Sequence, residues 1–382
     1  MRVLAVATLL AALGLAAGIG GAPLDRAAAQ GDQQGLAATG LFPHAIAVAD
    51  FNGDGVPDVA VPAAAERKVT VMLGDGRGGF ASVQSHPTGI GPTWVEVGDW
   101  DGDGHVDLIA TNTGGGSLTV HFGDGAGRFP RTAEVPAIKG PVSVVALASP
   151  GQKLPWLAVL QAGESRVVLL ENQGGRFAPG PSYAVGRAPH IIARADLNGD
   201  GVPDLVIGTF ARHVLSLLLG RKDGTFNDAT DVAVGRFPHY IATGDWDRDG
   251  RQDIAVACAG DDAVVLLAGD GTGALRKTGT LPTGTNPHGL VAADVNGDGI
   301  ADLVVSTRSA GYHMVYLGDG KGGFTPAPRL RYDADVIALA ARDFDRDGKV
   351  DLALVLASHH SVVLLKGDGA GGFAPFPPAT RQ

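Results

Sequence analysis

Seven small antiparallel sheets closed into a ring, an all-β fold, are predicted by three observations on this 382-residue chain. First, a pattern of the form Asp-x-Asx-x-Asp-Gly-x-x-Asp opens at Asp50, Asp99, Asp196, Asp245, Asp294 and Asp343. The starts lie 49, 97, 49, 49 and 49 residues apart, so the gap of 97 holds one further unit. Second, a turn ending at Phe80, Phe129, Phe177, Phe226, Leu275, Phe324 or Phe373 recurs in the same step and brings the units to seven. Third, apolar residues alternate behind each Asp pattern, as at Leu205 and Ile207 or Leu303 and Val305, which is strand periodicity. Four short strands repeated seven times with a period of about 49 residues are the signature of a seven-bladed β-propeller.

The elements follow in order. In the first unit, strands are expected at His44 to Ala49, Val59 to Val61, Val69 to Leu73 and Ala81 to Gln84. Turn sequences part them: the Asp loop, Ala65-Glu66-Arg67-Lys68, and Gly74-Asp75-Gly76-Arg77-Gly78-Gly79. The third unit keeps Gly140-Pro141 in step with Gly91-Pro92. Ala148, Pro150, Gln152 and Trp156 stand there in place of carboxylates, so the third blade lacks its loop. WD40 and kelch repeats have similar lengths, but neither signature recurs, and a β-solenoid would use a shorter period. Ring closure needs an outermost strand for the seventh blade. Residues 32–39 fit that place, and the C-terminal "FAPFPPATRQ" competes for it, with Pro375, Pro377 and Pro378 counting against it. The sequence leaves that choice open.

Hydrophobic residues at 45% and charged residues at 18% mark a folded chain, and 58 glycines without a triplet period suit many tight turns. Residues 1–29 read as a signal peptide: Arg2, an uncharged run from Val3 to Gly21, and small residues for cleavage after Ala22 or Ala29. The run is nearly long enough to span a bilayer, so an uncleaved membrane anchor is the competing reading. Residues 30–382 are assigned to the propeller, and a secreted monomer is expected. The single cysteine, Cys258, excludes an intramolecular disulfide and reads as a small buried hydrophobe.

The loop "DFNGDGVPD" from Asp50 starts like an EF-hand, but position 12 is Val61 where that motif needs glutamate. Side-chain oxygens at 1, 3, 5 and 9 with the backbone carbonyl at 7 make an oxygen-only set that favours calcium over zinc or magnesium. The candidate metal ligands of the first two loops are Asp50, Asn52, Asp54, Val56 and Asp58, then Asp99, Asp101, Asp103, His105 and Asp107. The next two loops offer Asp196, Asn198, Asp200, Val202 and Asp204, then Asp245, Asp247, Asp249, Arg251 and Asp253. The last two offer Asp294, Asn296, Asp298, Ile300 and Asp302, then Asp343, Asp345, Asp347, Lys349 and Asp351. Val56, His105, Val202, Arg251, Ile300 and Lys349 would act through backbone oxygen alone. About six calcium ions per chain are expected, structural and not catalytic. The loops hold 21 of the 40 acidic residues, and six calcium ions would take the formal charge from −10 to about +2. The plainer alternative is a set of Asx-turns on a solvated edge. Apolar residues at position 2, Phe51, Trp100, Leu197, Trp246, Val295 and Phe344, are expected to anchor each loop between blades.

This pattern resembles the calcium-binding β-hairpin loop of FG-GAP and VCBS repeats, as in the seven-bladed propeller of integrin α subunits. The resemblance covers residues 40–375. It implies structural calcium on one face and contact with partners on the other. The Asp loops and the Gly-Asp-Gly turns fall on one face, and the second-to-third connections on the opposite one. Those connections differ from blade to blade, from "AAAERK" at 63–68 to "TRSAGYH" at 307–313, as expected of a binding face or of drift.

A Pro-His pair opens four inner strands, placing His44, His190, His239 and His288 around the channel mouth, with Thr93, Val142 and Ile337 in the other units. Such a cluster could bind copper or zinc, or act as acid and base toward a sugar. The alternative is that each histidine bonds a neighbouring backbone carbonyl. No Walker loop, dinucleotide fingerprint or Gly-x-Ser-x-Gly elbow occurs, and the negative charge argues against nucleic acid. The expectation is a secreted calcium-binding module for protein or carbohydrate ligands, with no catalytic or organic-cofactor residues assigned. The competing expectation is an extracytoplasmic enzyme, a sugar lyase or dehydratase or a copper- or zinc-dependent one, working at the histidine cluster.

Overall fold

Each repeat reverses direction at glycine-rich turns and so stacks its strands antiparallel, nearest neighbour on nearest neighbour. The computed structural model describes residues 36–136, 138–148 and 153–377. It contains seven sheets, six in the order of the chain and the seventh with a strand from the N-terminal end added at its edge. The first runs Ala47–Ala49, Asp58–Ala63, Lys68–Gly74 and Phe80–Pro87, from the central channel outward. The third, without an Asp loop, has the same four strands: Pro141–Leu147, Trp156–Gln161, Arg166–Asn172 and Phe177–Ala184. Among the described residues the helical content is one short turn, Ala64–Glu66. The proposed signal peptide, residues 1–29, lies outside the described residues.

Burial follows position within the blade. The second strands, such as Asp204–Thr209 and Asp302–Thr307, are buried at every residue. The expected alternation is overridden there, since Val206 and Val304 are as buried as Leu205 and Leu303. The reason is that neighbouring blades cover both faces of an inner strand, so both faces must be apolar. Alternation survives in outer strands, and Phe80–Pro87 alternates along its whole length. Apolar clusters bridge successive blades, and one joining Phe344 and Ala353 to Val59 and Met72 links the last blade to the first.

Both termini close the ring. Leu36–Ala38 pairs with Ser361–Val363, and Phe373–Pro375 pairs with Leu365–Gly367 on the same strand. The outermost strand of the seventh blade is therefore composite, each terminus supplying three residues. Prolines limit the C-terminal half, as Pro375 and Pro377 withhold ladder donors. Thr39 carries the N-terminal half onward by donating its amide to His360 O at 2.9 Å.

Candidate metal centres and the channel mouth

In the first loop, Asp50 Oδ1 accepts the Gly53 amide at 2.7 Å and Oδ2 the Gly55 amide at 2.8 Å. Asp54 Oδ1 accepts the Val56 amide at 2.7 Å. These bonds bend the chain until positions 1, 3 and 5 face one another. The bend requires glycine at position 6, where Gly55 has φ +77°. Position 4 is also left-handed, and two loops place arginine there, Arg248 at φ 61° and Arg346 at φ 63°. Both reach into the following blade's loop: Arg248 Nη2 donates to Gly299 O at 2.7 Å, and Arg346 donates to Asp54 O.

Position 9 is the most buried acid of the loop. Asp204 Oδ2 accepts the Leu197 amide at 2.8 Å, and Oδ1 accepts the Gly220 amide at 2.7 Å. Asp58, Asp107, Asp253, Asp302 and Asp351 make the same two contacts in their own blades. Each therefore staples the loop to the end of the third strand. Burial pushes Asp58 and Asp107 up to about 6, against the pull of these amides and with the neighbouring loop carboxylates adding to the rise. Replacing Asp204 by alanine strands two buried amides, and a loss of about 2–5 kcal/mol of stability is expected in chemical denaturation. A midpoint unchanged from the parent would show that the staple carries no weight.

The anchors at position 2 sit where the next blade covers them. Phe51 and Trp246 are buried, and Trp100 and Phe344 almost completely. Trp100 packs among Ile109, Leu118 and Leu157, across the second and third blades.

The donor chemistry fits calcium. Among the described residues, the triads of potential metal-ligand atoms within 4.8 Å of one another are carboxylates alone: Asp99, Asp101 and Asp107; Asp245, Asp247 and Asp249; Asp343, Asp345 and Asp347. These are the loops with aspartate at position 3. Each also draws one cation of the chain: Arg131 onto Asp101, Arg251 onto Asp249, and Lys366 onto both Asp345 and Asp347. In the other loops an asparagine amide serves, as Asn52 Nδ2 donates to Asp54 Oδ2 at 2.9 Å. One cation against four carboxylates leaves a net negative pocket of oxygens, which suits a divalent ion.

On the opposite face the four Pro-His histidines meet. Ring centroids of His190 and His239 stand 4.9 Å apart, and those of His239 and His288 4.2 Å. His190 also stacks on Phe210 at 4.3 Å. His288 Nδ1 lies 2.7 Å from Ile337 O, the backbone-carbonyl bond weighed above. His44 Nε2 and His239 Nδ1 are buried without a partner. Burial lowers His44 to about 4 and His190 and His288 to about 3, and pushes His239 well down. The Arg308 guanidinium, held on Asp335 by bonds of 2.9 and 3.0 Å, adds to the lowering at His44, His239 and His288. The cavity they line with Thr93, Trp94, Val142 and Tyr240 is about 40 Å³, room for about one water and not for a sugar. Cys258 is buried, and its thiol is pushed up to about 12, so it is no nucleophile at neutral pH.

Sequence reasoning passed over the apolar rim of this face. Leu41, Phe42, Ile90 and Phe237 are 44%, 49%, 49% and 46% exposed and precede the first residues of inner strands. Phe42 and Phe237 hold φ 57° and 55°, a left-handed backbone that other blades give to Gly91, Gly140, Ala188 and Asn286. The recurring Phe-Pro-His at 42–44 and 237–239 was the available signal. Also unforeseen was Glu96 on an inner strand, raised to about 7 chiefly by burial, with its carboxylate accepting the Ala146 amide at 3.2 Å.

An FG-GAP-like repeat model matches residues 63–110, 196–256, 245–305 and 296–354, and an FG-GAP repeat model matches residues 42–83. The chain belongs to the FG-GAP repeat family. The stretch between these matches contains the third blade, whose sequence has no Asp loop. No curated protein matches the chain significantly. Solved structures share its fold at low identity. BBS1N, from a complex with ARL6DN, aligns at TM-score 0.64 and 14% identity over 90% of this chain and 96% of that one. A lectin of Agrocybe aegerita that recognises non-reducing terminal N-acetylglucosamine aligns at 0.55 and 18%, over 86% of each chain. Virginiamycin B lyase of Staphylococcus aureus, solved with quinupristin, aligns at 0.58 and 12%, over 85% and 94%.

Proposed function

We propose that this FG-GAP propeller is an exported binding module, rigidified by calcium in six loops and presenting the opposite face to a protein partner. The observation that carries the reading is the apolar rim: Leu41, Phe42, Ile90 and Phe237 lie exposed around one channel mouth. Phe42 and Phe237 stand at a left-handed turn that other blades share, at Gly91, Gly140, Ala188 and Asn286, so the repeat itself presents both rings at equivalent places on this face. Exposed aromatic and aliphatic side chains on a rigid ring are the anchors protein interfaces use. Carbohydrate is the less favoured ligand on this face, since the mouth cavity of about 40 Å³ is too small for a pyranose. The same size counts against the enzyme reading at the histidines. Export rests on residues 1–29 and on the extracellular habit of FG-GAP proteins; among the described residues no helix is long and apolar enough to cross a membrane.

Peptide-display selection against the calcium-loaded protein, repeated on the F42S/F237S double variant, tests this. Binders to the parent should lose at least about tenfold in affinity for the variant, the loss of one or two interface anchors. Equal binding to both would move the partner site elsewhere.

A further inference from the structure

The third blade is where this propeller departs from its own repeat, and a cavity lies beside it. Trp156 opens the second strand and pairs with Leu147, as Asp107 pairs with Gly98 and Asp204 with Ala195 in the flanking blades. An indole thus stands at the position of the stapling aspartate, and its Nε1 is closed off from solvent without an acceptor. The neighbouring blade answers the change. At other interfaces the third-to-fourth turn donates back across the gap: Gly127 to Phe51 O at 3.0 Å, Gly273 to Leu197 O at 3.2 Å, and Gly322 to Trp246 O at 3.1 Å. In the fourth blade the matching Gly224 amide turns inward to Arg221 O at 2.9 Å. Between the two blades lies a cavity of about 200 Å³, walled by Trp156 and Phe226 and edged by Arg221, Lys222 and Thr225.

Charge changes sign at the same place. Five blades begin this turn with Gly-Asp, at Asp75, Asp124, Asp270, Asp319 and Asp368, and the fourth has Gly220-Arg221-Lys222. Arg221 is steadied by Nε donation to Asn227 Oδ1 at 2.7 Å. Among the described residues, Lys222 forms no ion pair with the protein. The nearby Asp223 is occupied, accepting both the amide and the hydroxyl of Thr225 at 2.9 and 2.6 Å. Two cations therefore stand beside an aromatic wall where five other blades begin the turn with aspartate.

We propose that this cavity binds one acidic pyranose, a uronic acid residue at the end of a glycan. The ring packs against Trp156, and the carboxylate meets Arg221 and Lys222. The volume sits below the roughly 300–1,000 Å³ of pockets for drug-sized ligands, and so admits a single ring. Flat apolar walls suit a sugar face, and a guanidinium paired with a lysine selects carboxylate. This site lies on the Asp-loop side and does not depend on what the opposite face binds.

Isothermal titration of the calcium-loaded protein with methyl glucuronide and with methyl glucoside tests the assignment. The glucuronide should bind about tenfold tighter, the yield of one charge-assisted hydrogen bond. R221Q/K222Q, both exposed positions, should erase that preference without shifting the melting temperature, and W156A should weaken both sugars. Failure of the glucuronide to bind at millimolar concentration, equal affinity for the two sugars, or a preference that survives R221Q/K222Q would each overturn it. The cavity would then be only a gap between the third and fourth blades.

Discussion

Chelating calcium is expected to lower the melting temperature of this propeller by about 20 °C. Each loop occupied at a hundred times its dissociation constant adds about 2.7 kcal/mol of stability, and six such loops add about 16 kcal/mol. At roughly 1–2 °C per kcal/mol for a chain of this size, the shift is tens of degrees. The physical origin is local: three or four carboxylates share each bend, and Arg131, Arg251 and Lys366 neutralise only one or two of them. Without the ion these oxygens repel one another, and the bend that aligns the first two strands of each blade loosens. The third blade, which has no loop to empty, should show the least change in amide exchange. Calorimetry with and without chelator reads the first effect, and coincident transitions would remove calcium from the account of stability.

The second large effect comes from acid. His44, His190, His239 and His288 are held neutral by burial, with their folded-state values far below the ordinary 6.5. The unfolded chain therefore takes up protons that the folded one refuses. Their contribution is complete above pH 6.5 and is lost as pH falls from there toward 4 and 3. Each histidine costs up to roughly 1.4 kcal/mol per pH unit in that window, so the four together reach several kcal/mol by pH 5. The groups facing the cluster are Arg308, whose charge strengthens the effect, its partner Asp335, and the Tyr240 hydroxyl, which stays protonated. Melting at pH 7.5 and 5.5 in saturating calcium should differ by about 5–10 °C, by the same conversion. H190Q/H239Q/H288Q should reduce that slope by about half, because His44 remains and His121 and His313 are likewise lowered to about 4 by burial. An unchanged slope in the triple variant would assign the acid sensitivity to other groups.

Much of this molecule is written in its repeat. Spacing alone places the loops at Asp50 through Asp343, and the φ of Gly55, Gly104, Gly201, Gly250, Gly299 and Gly348 agrees with the turn their sequence requires. The gathering of the four histidines was legible for the same reason, since equal positions in a ring must face one axis. What escaped depends on contacts across blades. One of the two hydrogen bonds of each position-9 aspartate runs to an amide 16 residues away, which no local pattern reveals. The composite closing strand depends on both ends meeting at Ser361–Gly367, a partition that neither end encodes by itself. Phe42 and Phe237 were hidden because a phenylalanine in a strand-forming chain reads as core until its exposure is known.

A crystal grown in calcium and measured for anomalous scattering bears most directly on whether divalent ions organise the ring. Six peaks are expected, one amid each set of loop oxygens, and none in the third blade. Bends that stay vacant at saturating calcium, with the ring intact, would contradict the account.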